Sequence, residues 1–133
     1  DMKVAVAQLA LDNKDYTNAQ AQIEDARAVL NDPQQQSQAL YILAEAKYQT
    51  ALAAKATEKT TWQDIAIAYM RVVALFPDKA RASDALAGTA ACYEQMKDTD
   101  KATSIYQQVI KQYPHAPAAK TAQDALARLK TGN

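Results

Sequence analysis

The side chains with the strongest claim to chemistry are His115 and Cys92, each the single residue of its type in the chain. A cysteine beside a histidine makes a nucleophile and its base, and either ligates metal, but both roles need partners that converge. Here Cys92 falls inside a stretch that reads as helix, while His115 sits in a junction between Pro114 and Pro117. The ordinary readings are a solvated loop histidine and a small buried hydrophobe. One cysteine leaves no intrachain disulfide and no cysteine-rich zinc site. The chain carries no glycine-rich phosphate loop, paired-histidine motif or calcium loop. The expectation is therefore no catalytic residue, no cofactor and no metal site, and a protein that is not an enzyme.

The seven tyrosines and Trp62 offer a different chemistry, that of stacking and interface anchoring. Tyr69, Tyr93, Tyr106 and Tyr113 recur at positions where aromatic bulk fills the space between helices. Tyr41 and Tyr48 lie on the long third helix and suit either packing or contact with a ligand. Trp62 follows Lys59-Thr60-Thr61 and either lids the core or stands exposed as an anchor of the kind interfaces favour.

The elements that position these residues are helices. Leu40, Leu43, Ala44, Tyr48, Ala51 and Leu52 share a face at three- and four-residue spacing. Ile65, Tyr69, Val72, Val73 and Phe76 repeat that pattern, as do Ile105, Tyr106, Val109, Ile110 and Tyr113. The spacing predicts helices over 2–12, 16–31, 33–56, 62–76, 79–97, 99–113 and 117–130. Asp32-Pro33 supplies an N-cap before a first-turn proline, with Gln35 reaching back. Thr61 and Asp64 make a weaker box, and Lys130-Thr131-Gly132 a closing signal. Two glycines and four prolines leave little turn chemistry for sheets. Leu, Ile, Val and Phe total only 23 residues against 30 alanines, which points to helices packed closely through alanine faces.

Charge narrows the partners. Fifteen basic and fifteen acidic side chains give a net charge of zero, without the basic excess of a nucleic-acid binder. Residues 1–66 carry −3 (six basic, nine acidic) and residues 67–133 carry +3 (nine basic, six acidic), an asymmetry that suits head-to-tail stacking. No apolar run is long enough to span a membrane. The opening Asp1-Met2, without a basic-then-apolar leader, fits a chain whose leader was removed or one cut from something longer.

The chain also repeats itself. Tyr69-x6-Phe76-Pro77 recurs 37 residues later as Tyr106-x6-Tyr113-Pro114, an aromatic within a helix and then an aromatic–proline pair that ends it. Ala46-Lys47-Tyr48-Gln49 recurs 45 residues later as Ala91-Cys92-Tyr93-Glu94, with a longer connection around Ala56 to Thr61. Asp15-Tyr16-Thr17-Asn18-Ala19 is similar to Thr99-Asp100-Lys101-Ala102 as a second-helix start. The series Leu86, Ala90, Tyr93, Ala102, Tyr106, Pro114 resembles the tetratricopeptide signature. The match is good over 82–114, partial over 37–77 and weak over 2–33. Ala90 stands at the usual glycine, and Glu45 holds the small position of the second unit, against close helix approach there.

The resemblance implies an all-α, right-handed superhelix of about three helix pairs. Residues 1–133 then form one domain, with units 2–33, 34–77 and 79–114 and a C-terminal capping helix over 117–130. It also implies a groove lined by the first helix of each pair, here Gln38, Tyr41, Glu45, Gln49, Arg81, Asp84 and Glu94. Members that grip a terminal carboxylate use a basic and amide clamp; the matching positions here are Ala87 and Ala91, so that mode is disfavoured. A groove of this kind takes a helix or extended segment of a partner. The junction Gln112-Tyr113-Pro114-His115-Ala116-Pro117-Ala118-Ala119 is similar to those of bacterial cell-envelope tetratricopeptide proteins, including the Tol–Pal-associated and outer-membrane-assembly lipoproteins. The implied function is a non-enzymatic scaffold for a protein or peptide in a periplasmic or envelope complex. The alternatives are self-association within a larger repeat protein, and a cytoplasmic location.

Overall fold

A computed structural model describes residues 2–75 and 79–132. Its described residues form seven α-helices and no strand: α1 (Met2–Asp12), α2 (Tyr16–Ala26), α3 (Pro33–Ala53), α4 (Lys59–Leu75), α5 (Lys79–Gln95), α6 (Thr99–Gln112) and α7 (Pro117–Gly132). Each helix packs on the next. The odd helices α1, α3, α5 and α7 also pack on one another along the array, which the even helices do not do to a comparable extent. That asymmetry bends the stack, with odd helices on the inside. The fold is an all-α array in which successive helices stack in pairs.

Alanine makes this close stacking possible. Three cores follow one another, the first among α1, α2 and α3, the second among α3, α4 and α5, the third among α5, α6 and α7. Thus α3 and α5 are shared walls, buried through Ala39, Ala44, Ala46 and Ala51 on one and Ala82, Ala85, Ala87 and Ala90 on the other. A helix buried on two sides needs small residues on both, because large ones would push its neighbours apart.

The helix ends depart from expectation in instructive ways. Helix α2 stops at Ala26, passes through a 3₁₀ turn at Arg27–Val29, and becomes extended at Leu30 so that its side chain is buried. Asp32 caps α3 by accepting from the Gln34 N–H at 3.1 Å, with Pro33 in the first turn. The amide that reaches back belongs to Gln36, which donates to the Leu30 carbonyl at 2.7 Å. Helix α4 begins at Lys59, two residues before Thr61, so Thr61 and Asp64 do not mark its start. The Trp62 indole N–H donates to the Ala56 carbonyl at 3.0 Å and draws the connection onto the core. Helix α7 runs to Gly132, the last described residue, with Lys130 in its last turn and the Thr131 hydroxyl bonded to the Ala127 carbonyl at 3.1 Å. Tyr113 ends α6 ahead of Pro114, whereas the earlier stop, Phe76-Pro77, lies outside the described residues.

One device occurs three times. Lys14, Lys55 and Lys97 adopt positive φ (63°, 55° and 65°) directly after α1, α3 and α5. At each, the N–H of the following residue bonds a carbonyl five residues back and the lysine N–H one three residues back: Asp15 to Ala10 and Lys14 to Leu11, Ala56 to Ala51 and Lys55 to Leu52, Asp98 to Tyr93 and Lys97 to Glu94. This double bond closes a helix on a left-handed residue and usually employs glycine, because an L side chain is strained there. Asp15 and Asp98 then cap α2 and α6 by accepting from Asn18 and Lys101 N–H groups. Replacing Lys97 by glycine is expected to stabilise the fold by about 0.5–1 kcal/mol, read as a raised urea midpoint at unchanged slope. A lowered midpoint would mean the lysine side chain contributes contacts that outweigh the strain.

Candidate partner-binding groove

The inner side of the bend carries a hollow of about 240 Å³. Tyr41, Glu45 and Tyr48 border it from α3, Asp84, Ala87, Gly88 and Ala91 from α5, and Ala118 and Thr121 from α7. Tyr69 and Tyr106 reach it from the even helices α4 and α6. Gly88 is what lets Tyr69 do so. A Cβ built on Gly88 would lie 2.6 Å from the Tyr69 ring, far inside contact distance, so only glycine leaves room for that ring over α5. Tyr41, Tyr48 and Tyr69 cluster with ring centroids 6.1 Å (Tyr41 to Tyr69) and 6.4 Å (Tyr48 to Tyr69) apart.

Tyr69 and Tyr106 each hand their hydroxyl to a glutamate of the preceding odd helix. Tyr69 donates to Glu45 at 2.5 Å, and Tyr106 donates to Glu94. Glu45 is thereby accommodated where a small residue was expected: α3 and α4 still pack closely, through Ala44 and Ala51, while the carboxylate turns into the hollow. Glu94 is further gripped by the Arg128 guanidinium, at 2.6 and 3.2 Å to its two oxygens, a two-pronged clasp joining α5, α6 and α7. Burial first, and the Glu45 carboxylate second, push the Tyr69 phenol far above its ordinary range. Tyr106 is raised by burial and by its bond to Glu94.

This raised ionisation couples stability to pH. The folded Tyr69 keeps its proton where the unfolded chain's phenol, near pH 10, loses it, so above about pH 10 the unfolded state binds fewer protons. Stability is thus full below pH 10 and falls above it, by up to about 1.4 kcal/mol per pH unit for Tyr69 alone. Urea titrations at rising alkaline pH check this, and a Tyr69→Phe variant should show the shallower fall. Equal slopes would place the alkaline loss elsewhere.

Of the seven sequence-predicted groove residues, Tyr41, Glu45 and Asp84 border the hollow together. Arg81 lies close enough that its charge acts on Tyr41 against those of Glu45 and Asp84. Glu94 sits in the Arg128 clasp. The Gln38 amide donates to the Gln8 side chain at 3.4 Å, tying α3 to α1, and Gln49 is half-buried farther along α3. Trp62 is a core residue, 1% exposed, its ring edge-on to Tyr48 at 5.3 Å, so the exposed-anchor reading does not hold. His115 is exposed in the turn between α6 and α7.

Cys92 is fully buried in α5, and its thiol is pushed up to about 12 by burial first and Glu45 second. Native-state alkylation near neutral pH should run about a thousandfold slower than in urea on thiolate fraction alone. Comparable rates in the two conditions would mean that the thiol opens to solvent.

Successive cores that share the alanine-rich odd helices α3 and α5, with an inner hollow, define the class of α-helical repeat folds. Within it, residues 84–116 match the tetratricopeptide repeat family, the stretch running from the middle of α5 to the turn after α6. This supports the tetratricopeptide reading, in a family generally made of non-enzymatic scaffolds. No curated protein matches the chain.

Proposed function

We propose that this chain is a non-enzymatic scaffold that holds a segment of a partner protein or peptide in its inner hollow. The observation that carries the reading is a concavity on the odd-helix side that combines aromatic faces with a half-buried carboxylate, Glu45, and backs onto the stretch with the tetratricopeptide match. Aromatic faces and orienting polar groups in a concave site are what partner recognition requires. The chain's net charge of zero favours a protein over a nucleic acid, and no helix among the described residues is long and apolar enough to cross a membrane. The junction at 112–119 supports a bacterial periplasmic or envelope setting for the complex, with the cytoplasm as alternative.

A crosslinking pull-down tests this, with wild-type bait beside one carrying Glu45→Lys and Asp84→Lys. A partner held by wild type and lost on charge reversal is the expected result. Recovery of nothing beyond what an unrelated helical bait retains would overturn the reading.

A second reading, self-association, is favoured by the outer face of α1. Met2, Val6 and Leu9 lie on one stripe of that helix and are 82%, 39% and 61% exposed. Opposite charges on the two halves of the chain would favour head-to-tail contact. Sedimentation equilibrium should then show association that Leu9→Glu abolishes, whereas a monomer at about millimolar concentration would remove this reading.

A further inference from the structure

The two tyrosine–glutamate pairs are alike in form and differ in what neutralises them. Around Glu94 the arrangement is complete: Tyr106 donates to it and Arg128 from the next odd helix grips both oxygens. Around Glu45 it is not. Tyr69 donates to one oxygen, and no described lysine or arginine comes within ion-pair distance. The sequence explains the difference. Tyr69 and Tyr106 are related by a shift of 37 residues, and the residue 37 before Arg128 is Ala91. The same shift relates the inward positions Ala82 and Ala85 to Ala119 and Ala122, all buried. Ala91 therefore stands where the second unit would carry its own arginine, and Ala91 borders the hollow. Glu45 comes from one turn earlier on its helix than Gln49, the residue 45 before Glu94, so its carboxylate enters the open space directly.

The remaining walls suit a cation. Tyr41 and Tyr48, both half-buried, border it beside the buried Tyr69, and aromatic rings attract a guanidinium or ammonium group; Asp84 and the small Ala87 complete the lining. Burial, and after it the carboxylates of Glu45 and Asp84, raise the Tyr41 phenol, with Arg81 opposing. A volume of about 240 Å³ is below the usual range for drug-sized ligands and is of a size for one side chain.

We propose that the hollow is a seat for an arginine side chain from a segment of the partner protein, held by Glu45 and the tyrosine faces as Arg128 is held by Glu94. The partner then supplies the charge that Ala91 lacks. This rests on the reading of the hollow as the partner-binding surface and specifies the chemistry it selects. Guanidinium is favoured over ammonium because its planar fork matches a carboxylate and stacks on aromatic rings.

Amide NMR of the isotopically labelled chain tests the proposal, titrated with a short acetylated alanine peptide carrying one central arginine. A matched peptide carries citrulline, which keeps the shape and loses the charge. Saturable shifts at Gly88 and Ala91 are expected with arginine, weakened at least about tenfold with citrulline and by added salt. Glu45→Gln, which still accepts from Tyr69, should lose the same factor while amides remote from the hollow stay unshifted. Ala91→Arg should fill the seat from within and block the peptide. Equal affinity for the two peptides, indifference to Glu45→Gln, or no saturable shift at about 10 mM peptide would each overturn the seat. If a pull-down partner survives those same outcomes, the scaffold reading stands and the cation seat falls; if no partner is found either, both fall.

Discussion

Replacing Trp62 by alanine is expected to cost about 3–5 kcal/mol, the range for emptying a buried aromatic site. Against a total of about 5–15 kcal/mol for a domain, that is enough to populate partly unfolded chains at physiological temperature. The ring is 1% exposed and packs edge-on against Tyr48, and its N–H holds the Ala56 carbonyl in the middle of the α3–α4 connection. Alanine would leave a cavity in the second core and release that connection together. Urea unfolding followed by circular dichroism measures the loss, since the variant has no tryptophan to report. The damage should centre on α3, α4 and α5, with faster amide exchange there, because in a repeat stack each interface answers mainly to its neighbours. Trp62→Phe should cost less, keeping the aromatic contact and giving up the hydrogen bond. A loss under about 1 kcal/mol for alanine would mean the indole is an outer lid after all.

The second large effect comes from the smallest possible addition. Gly88→Ala places a methyl carbon 2.6 Å from the Tyr69 ring, and the ring is 1% exposed and tied to Glu45, so it has nowhere to retreat without breaking that bond. Overpacking of this kind costs about 1–3 kcal/mol, although alanine is intrinsically the better helix former by about 1 kcal/mol. The sign of the measured change therefore separates the two effects. Thermal unfolding of Gly88→Ala, Tyr69→Leu and the double variant makes the cycle. Gly88→Ala should be much milder once the ring is gone, with a coupling of about 1 kcal/mol or more. A stabilised single variant would show that propensity wins and that the ring yields freely. Partner binding should weaken in Gly88→Ala as well, since Tyr69 borders the hollow.

Much of this architecture was legible from residue spacing, and the misses share a cause. The three- and four-residue spacing around Tyr69 and Tyr106 places α4 and α6, and the abundance of alanine foretells the shared walls α3 and α5. Tyr41, Glu45 and Asp84, expected from the sequence to line a groove, border one hollow. Gly88 was not singled out, because a helical glycine signals nothing by itself; what it accommodates, a ring 19 residues earlier, is a tertiary fact. Spacing alone does not decide between lid and anchor for Trp62, because its burial depends on a carbonyl six residues upstream that periodicity does not weigh. Lysine carries no preference for left-handed backbone, so Lys14, Lys55 and Lys97 gave no turn signal singly. The recurrence of Lys14-Asp15 as Lys97-Asp98, 83 residues on, was the clue available. Glu45 was read as an obstacle to packing, and becomes intelligible only with the Tyr69 hydroxyl beside it.

The stacking order also has a consequence for how the chain is made. Every substantial interface joins helices one or two apart in sequence. A polypeptide growing from its N-terminus therefore never waits for a distant segment: α3 finds α1 and α2 already present, and α5 finds α3 and α4. Topology of this kind has low contact order, which favours fast folding and suits docking of each helix as it emerges. The left-handed lysines mark three of the reversals in that sequence of events, those that follow α1, α3 and α5.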